Sequence, residues 1–230
     1  MKLQFLGTGA ADWKAEHIRT IPYGRRNASA LVDGVLLIDP GPCVPEALET
    51  FGISAEQIQY VIVTHSHGDH YNGDTVAFLE SRGAKLIRFE GAGVKQIGNY
   101  TVEALVGNHG TSVDCLHYLI SDGSSRLYYA MDSAWLLYPE YRRIRALAKE
   151  GTPVDYMVID ATVGWDGDYR IFEHNDLSMV IHMLKTLSPY LKRVCISHMA
   201  RTLHTDHLSL VKMMEPYGIE AAYDGWVVEF

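Results

Sequence analysis

The chain has 230 residues, of which 47% are hydrophobic and 21% are charged, a composition typical of a folded globular protein rather than a disordered one. Its 28 acidic and 20 basic residues give a formal net charge of −8, which argues against non-specific binding to a nucleic-acid backbone. No apolar run approaches the length of a membrane span. Three well-separated cysteines, Cys43, Cys115 and Cys195, suit a reducing compartment. We therefore expect a cytoplasmic protein with no membrane association.

Short β-type runs recur along the chain, and in its later part they alternate with helical patterns. Strands are predicted at 2–7, 28–33, 34–41, 60–65, 84–89, 100–106, 115–120, 126–131, 156–161 and 193–198. Helices are predicted at 44–52, 72–83, within 133–151, and at 177–191 and 207–218. Periodicity alone leaves α/β and α+β open, and two sheets with helices outside them, an αββα sandwich, accommodate this order. Neither a repeat nor a linker divides the chain, so we expect one domain over 1–230.

The segment THSHGDH (64–70) concentrates residues that bind metals at the end of a predicted buried strand. Alternate side chains of an extended segment point the same way, so His65 and His67 are able to face one ion together. The glycine permits a sharp turn, after which Asp69 and His70 are able to face a second ion. Imidazole and carboxylate ligands suit zinc, manganese or iron. The alternative is a polar surface loop, which four such residues at this spacing disfavour.

This segment resembles the H-x-H-x-D-H signature of the metallo-β-lactamase superfamily, whose members often also carry LGTG and LLIDPG segments, here at 6–9 and 36–41. The resemblance implies an α+β fold, an αββα sandwich of two mixed sheets with helices on the outer faces. It also implies three further ligands, each after a strand: His109, Asp132 and His198. Asp39, in the second segment, would orient a ligand histidine, although a turn-capping role is compatible with this.

The resemblance assigns two divalent ions, zinc or manganese, with iron as an open third choice. It implies ligands in two groups joined by one carboxylate: His65, His67 and His109 for one ion, Asp69, His70 and His198 for the other, and Asp132 between them. An aspartate at the bridging position argues against the branch that hydrolyses β-lactams. It favours attack on phosphorus by a hydroxide shared between the ions.

The C-terminal part is similar to the cyclic phosphodiesterase of the carbon–phosphorus lyase pathway and, more distantly, to tRNA 3′-processing endonucleases. This resemblance makes His174, in HNDL, the residue that serves the leaving group, with Asp69 and Asp160 as further candidate catalytic residues. Two alternatives stay open. His174 could be a neighbour of the helix cap at Asp176, and Asp160 either orients His174 or is an ordinary strand-end acid.

Two departures bear on the substrate. The N-terminal cysteine cluster of the phosphodiesterase is missing, and the stretch 71–108 holds no basic, glycine-rich arm of the endonuclease type. The second departure weighs against tRNA, and the resemblance to the phosphodiesterase favours a small phosphodiester, cyclic or linear, over a nucleic acid. The alternatives are a lactone hydrolase, a thioester hydrolase or an RNA-processing endonuclease on the same scaffold. A homodimer stays open.

Several polar residues are set aside because the ligand set is already complete. His204 and His207 are interpreted as surface or helix-start residues. Arg25 and Arg26 are interpreted as a solvated loop pair, with contact to a substrate phosphate as the alternative. His117 and His182 are expected to be packed or half-exposed within their strand and helix.

Overall fold

The computed structural model describes residues 1–110 and 115–230, and their β-strands form two sheets. The strands are β1 (Lys2–Gly7), β2 (Ser29–Val32), β3 (Leu36–Ile38), β4 (Tyr60–Ile62), β5 (Lys85–Leu86), β6 (Gly93–Ile97), β7 (Tyr100–Val106), β8 (Leu116–Ser121), β9 (Arg126–Ala130), β10 (Val154–Asp160), β11 (Leu191–Ser197), β12 (Ile219–Ala221) and β13 (Val227–Glu229). The α-helices are α1 (Ala15–Thr20), α2 (Val44–Thr50), α3 (Gly73–Glu80), α4 (Tyr138–Lys149), α5 (Leu177–Leu187) and α6 (His207–Met214).

Both sheets are mixed. The first has the strand order β13-β1-β2-β3-β4-β5, and only its β3–β4 and β4–β5 pairs are parallel. The second has the order β12-β11-β10-β9-β8-β7-β6. Strands β9 to β12 pair in parallel there, whereas β6 to β9 pair antiparallel. Every residue of β10 is buried, as expected of a parallel strand covered on both faces.

The main core lies between the two sheets. Phe5 and Ile38 of the first sheet belong to the same buried cluster as Tyr118, Tyr129 and Val158 of the second. Burying apolar surface from both sheets stabilises their face-to-face packing by roughly 25 cal/mol per Å². This shared core holds the strand ends of the two sheets in a fixed relationship.

Helices cover the outer faces. Side chains of α4, α5 and α6, including Ile144, Val180 and Leu210, pack in a second buried cluster with the outer face of the second sheet. Leu48 of α2 and Leu79 of α3 pack in a third cluster with the first sheet. The layers therefore run helix, sheet, sheet, helix, and the predicted αββα fold class is confirmed.

The elements differ from the predictions in several places. Strands β12 and β13, each three residues long, were not predicted. Helix α1 and strand β6 were not predicted, because α1 buries no residue and four of the five residues of β6 are exposed, so neither shows a clear apolar pattern. The strand predicted at 84–89 is reduced to the two residues of β5. Among the described residues, no helix is long and apolar enough to cross a bilayer.

Candidate metal centre

The candidate ligands follow the carboxyl ends of strands, at one edge of the sandwich. The loop after β4 carries His65, His67, Asp69 and His70, and His198 directly follows β11. Asp132 lies two residues beyond β9, and His109 lies three residues beyond β7. Because the two sheets share one core, these loops meet, and ligands up to 133 residues apart in the chain become neighbours.

The ligand-type side chains form two groups that share one carboxylate. Within each group, one potential ligand atom from every residue lies within 4.8 Å of the others. The groups are His65, His67, His109 and Asp132, and Asp69, His70, Asp132 and His198. All seven residues that the resemblance implies are therefore brought together, in the two sets that it assigned.

Ring nitrogens approach one another closely in both groups. Nδ1 of His67 lies 2.9 Å from Nε2 of His65 and 3.1 Å from Nε2 of His109. In the second group, Nε2 of His70 lies 3.0 Å from Nε2 of His198. Two imidazoles on one tetrahedral zinc, with zinc–nitrogen bonds of about 2.0–2.1 Å, would have nitrogens about 3.3 Å apart. The spacing of the donors therefore fits a metal ion in each group.

Asp132 lies between the two groups and is 2% exposed. Its Oδ2 is 3.0 Å from Nε2 of His65 and 3.2 Å from Nε2 of His70. Burial by itself raises the pKa of a carboxyl group, but the surrounding histidines, His198 foremost, hold the pKa of Asp132 well below its usual range. The carboxylate is therefore charged, and it is available to both groups.

Second nitrogens of four ligand histidines are held by protein oxygens. Nδ1 of His70 lies 2.9 Å from Oδ2 of Asp39, and Nδ1 of His109 lies 3.1 Å from the backbone oxygen of Glu173. The Nδ1 atoms of His65 and His198 contact the hydroxyls of Thr64 and Thr162, at 3.0 and 2.7 Å. Such contacts fix the ring orientation and leave Nε2 for a metal.

Asp39 contacts His70, which agrees with the interpretation that it orients a ligand histidine. It is fully buried, and Oδ1 accepts a hydrogen bond of 2.7 Å from the backbone N–H of Thr64. The following Pro-Gly turn packs tightly on the ligand loop, because a Cβ atom on Gly41 would lie 2.1 Å from the backbone oxygen of Asp69. Glycine is thus required there for close approach, and the turn supports both His70 and Asp69.

Three residues of the site have a left-handed backbone. Asp39, Asp132 and His198 have φ values of 62°, 58° and 62°, a region in which asparagine, aspartate and histidine are enriched among non-glycine residues. This conformation ends the strand abruptly and turns the side chain. Backbone strain of this kind clusters at functional sites.

His174 lies beside the metal groups. Its Nδ1 is 2.9 Å from Oδ1 of Asp132 and 3.1 Å from Oδ2 of Asp160. Burial by itself lowers the pKa of this histidine, but the carboxylates of Asp160 and Asp132 raise it to about 10. Asp160 therefore contacts His174, which agrees with the interpretation that it orients this histidine.

Asp160 also belongs to a third possible metal-binding group with Asp132, His174 and His198. Thr162 connects this group, since its hydroxyl lies 2.9 Å from Oδ2 of Asp160, 2.7 Å from Nδ1 of His198 and 3.1 Å from Nδ1 of His174. Because this third group shares Asp132 and His198 with the second group, His174 is a candidate both for a metal ligand and for a proton donor. The metal content of a His174 variant distinguishes these two roles.

A cavity of about 220 Å³ opens onto the centre. Its lining includes the proposed ligands His67, Asp69, His109, Asp132 and His198, together with His174, Asp12, Thr162, Arg170 and Glu173. Sequence reasoning did not single out the last four of these residues. Asp12, Arg170 and Glu173 come from irregular segments or a short turn, whose positions a periodicity pattern does not predict.

The interpretation of Arg25 and Arg26 as a solvated pair is wrong, because they are only 4% and 7% exposed. Nη1 of Arg25 donates hydrogen bonds to Oγ1 of Thr8 and to the backbone oxygen of Ala222, at 2.6 and 2.7 Å. The backbone N–H of Arg26 donates to Oδ2 of Asp224 at 2.7 Å. These partners lie far away in sequence, so local composition gives no sign of them.

His204 and His207 lie outside the metal groups, and His207 begins helix α6, as the helix-start interpretation predicted. Neither is a fully solvated surface residue, since His204 is partly buried and His207 is buried. Nε2 of His204 donates to the backbone oxygen of Ala161 at 2.7 Å. His207 is 8% exposed and contacts Arg25. His117 is buried, as predicted, whereas His182 is exposed on α5 rather than packed or half-exposed.

Residues 23–106 match the family model of the metallo-β-lactamase superfamily. The anti-Pycsar protein Apyc1 of a Paenibacillus species is 42% identical over 86 residues, which are 36% of this chain and 32% of that protein. A ribonuclease Z of Streptococcus uberis is 36% identical over 89 residues, 36% of this chain and 26% of that protein. The chain thus spans about a third or less of these two relatives. A UPF0173 metal-dependent hydrolase of Symbiobacterium thermophilum is 30% identical over 158 residues, 56% of this chain and 66% of that protein.

The fold is similar to those of solved structures over the whole chain. The metallo-β-lactamase fold protein YhfI of Bacillus subtilis superposes with a TM-score of 0.75 at 17% identity, covering 100% of this chain and 99% of that one. The short form of human tRNase Z gives a TM-score of 0.69 at 14% identity, with coverage of 100% and 99%. The narrower resemblance to the carbon–phosphorus lyase phosphodiesterase is not confirmed and stays a prediction. Family match, fold and convergent ligands agree that the chain carries a metallo-β-lactamase superfamily domain.

Proposed function

We propose that the protein is a hydrolase that uses two divalent metal ions, zinc or manganese, to cleave a small phosphodiester. The observation that carries this proposal is the position of Asp132, whose Oδ2 is within 3.2 Å of histidine nitrogens from both groups. A carboxylate shared in this way holds two cations close together, an arrangement suited to in-line displacement at phosphorus. The similarity to a metal-dependent hydrolase and to a ribonuclease Z supports the same class.

The proposed ligands are those of the two groups, with Asp132 in both. Divalent cations held there would act as Lewis acids that activate water and offset the negative charge on the phosphoryl oxygens. The chain fixes the ligands beforehand, because Asp39, Thr64, Thr162 and the backbone of Glu173 already hold the second nitrogens of four of the rings. The chain therefore contributes preorganisation, which lowers the cost of assembling the site during the reaction.

His174 is the proposed general acid. Its Nδ1 is occupied by Asp132, Asp160 and Thr162, so Nε2 is the nitrogen left to face a substrate in the cavity that His174 lines. A proton held on Nε2 would pass to the oxygen of the leaving alcohol as its bond to phosphorus breaks. Asp160 is then a positioning residue that keeps the ring charged and oriented.

The size of the cavity, about 220 Å³, favours a small phosphodiester or one end of a larger one. The four carboxylates on its lining, Asp12, Asp69, Asp132 and Glu173, repel an anionic substrate until cations are bound. Substrate binding is therefore expected to depend on metal as strongly as turnover does.

Metal content and substrate preference test this proposal together. The purified protein, reconstituted separately with zinc and manganese, would be analysed for bound metal and assayed with bis-p-nitrophenyl phosphate, a cyclic nucleotide, a lactone and a thioester. We expect about two ions per chain and turnover of the phosphodiesters, both lost in Asp132→Asn. Turnover of the lactone or thioester alone, with full metal content, would replace the phosphodiesterase proposal by another hydrolase. A protein that binds no transition metal would overturn the proposal.

A further inference from the structure

Arg170 is the cationic side chain, apart from the histidines, on the lining of the cavity at the metal centre. It lies on a short 3₁₀ turn, Tyr169–Phe172, between β10 and α5. The same lining carries four carboxylates, those of Asp12, Asp69, Asp132 and Glu173. A phosphate-bearing molecule that enters the cavity therefore meets one fixed cationic side chain besides whatever ions the centre holds.

The guanidinium of Arg170 is held in one orientation. Its Nε and Nη2 donate to the carboxylate of Asp168 at 2.7 and 3.4 Å, and its carbon Cζ lies 5.5 Å from the centre of the Tyr169 ring. These contacts occupy one edge of the group and leave Nη1 for a ligand. The side chain is 29% accessible, so it reaches the cavity without being desolvated.

The turn is joined to the metal centre at its C-terminal end. The backbone oxygen of Arg170 accepts a hydrogen bond of 2.8 Å from the backbone N–H of His174. The backbone oxygen of the intervening Glu173 faces Nδ1 of His109 at 3.1 Å. Arg170 is therefore fixed relative to one proposed metal ligand and to the proposed general acid.

We propose that Arg170 determines specificity for anionic substrates by binding a phosphoryl oxygen through Nη1, with Asp168 as the residue that positions it. The inference rests on the proposed function and names the residue that selects the charged group of the substrate. A guanidinium matches phosphate oxygens in geometry and stays protonated at any working pH. A local role, in which the Arg170–Asp168 pair only supports the turn, would be worth little for an exposed pair and would give no preference for anions.

The test compares Arg170→Gln and Arg170→Lys with Arg145→Gln. The control changes the net charge equally, at an exposed residue of α4 that does not line the cavity. Binding of inorganic phosphate to the zinc-loaded proteins is measured by calorimetry, and hydrolysis of bis-p-nitrophenyl phosphate is measured in parallel. Losing a charge-assisted hydrogen bond should weaken phosphate binding by about 10- to 100-fold in Arg170→Gln, with a smaller loss in Arg170→Lys. In Arg170→Gln the KM for the diester should rise by a similar factor, while kcat changes less. Asp168→Asn should also weaken phosphate binding and raise the KM.

If Arg170→Gln binds phosphate as tightly as Arg145→Gln does, the assignment of Arg170 is overturned. Loss of zinc from Arg170→Gln would also overturn it. The two proposals fail separately. A wild-type protein that hydrolyses no phosphodiester but binds phosphate through Arg170 would overturn the proposed function and support this inference. If the wild-type protein hydrolyses phosphodiesters, but neither the KM nor the phosphate affinity changes in the Arg170 variants, the proposed function is supported and this inference is overturned.

Discussion

Oδ2 of Asp39 lies 2.9 Å from Nδ1 of His70, and the contact turns Nε2 of that ring towards His198. The same carboxylate accepts hydrogen bonds from the backbone and hydroxyl of Thr64, the residue before the first ligand. One buried side chain therefore orients ligands of both metal groups. Contacts of this kind are worth about 10- to 100-fold in metal affinity or activity.

Asp39→Asn should consequently lower zinc affinity by about 10- to 100-fold, because an amide cannot satisfy both the Nδ1–H of His70 and the two donors of Thr64. Competition with a chromophoric chelator measures the affinity. Asp33→Asn, in the β2–β3 turn, is the matched control and should leave zinc affinity unchanged. Equal affinity in wild type and Asp39→Asn would show that Asp39 only caps its turn.

Asp132→Asn should release metal from both groups. The amide keeps the shape of the side chain but loses the charge that His65 and His70 face at 3.0 and 3.2 Å. Elemental analysis should therefore find less than one ion per chain, and activity should fall below detection. Retention of one full ion would indicate that Asp132 belongs to a single group.

His174→Gln should lower kcat by about 10²- to 10⁴-fold, the usual contribution of a general acid, while the metal content stays near that of the wild type. The deficit should shrink with a substrate whose leaving group needs no proton, such as a p-nitrophenyl ester. Loss of an ion from this variant would instead assign His174 to the third metal group, with Asp160 and His198.

Glu140 should be important for stability although it is remote from the cavity. Its Oε1 accepts hydrogen bonds from Nδ1 of His117 at 2.5 Å and from the hydroxyl of Tyr128 at 2.7 Å, and all three side chains are buried. Glu140→Gln should lower the free energy of unfolding by about 2–4 kcal/mol, because an amide has one acceptor oxygen, whereas Glu140 also accepts from the backbone N–H of Leu137 through Oε2 at 2.6 Å. Urea denaturation measures this loss, and Glu150→Gln, exposed at the end of the same helix, should change it by under ~0.5 kcal/mol.

Acid should destabilise the protein partly through His204. Burial, followed by the charge of Arg25, lowers the pKa of His204 to about 4 in the folded protein. As pH falls, the unfolded chain binds this proton first, so the stability is complete above the unfolded pKa and is lost as pH falls through about 6.5 towards 4. Between pH 7 and pH 5 the loss should be roughly 1–2 kcal/mol. Urea denaturation at both pH values should show a smaller loss in His204→Gln, and an unchanged loss would exclude this residue as a source.

The sequence predicted which side chains converge better than it predicted their surroundings. Every proposed ligand follows a strand and belongs to a motif, so a family pattern and a strand-end rule were enough to find His109, Asp132 and His198. Arg25 was misjudged because its partners, Thr8 and Ala222, approach only when β1 and the segment after β12 are in place. Arg170 gave no signal for a related reason, since a lone arginine in an irregular segment is indistinguishable from any solvated one.

Asp39, Asp132 and His198 have a left-handed backbone. At these positions the fold alone and the proposed metal centre favour different residue types. Glycine adopts this conformation without penalty, so Asp132→Gly should relieve backbone strain even as it removes a ligand. Valine or isoleucine, whose branched side chains are genuine outliers there, would harm both. A library selected for folding alone would accordingly enrich glycine and asparagine at these three positions, whereas selection for metal retention would restore the acid or the imidazole, and the contrast between the two outcomes would map the centre without any knowledge of its substrate.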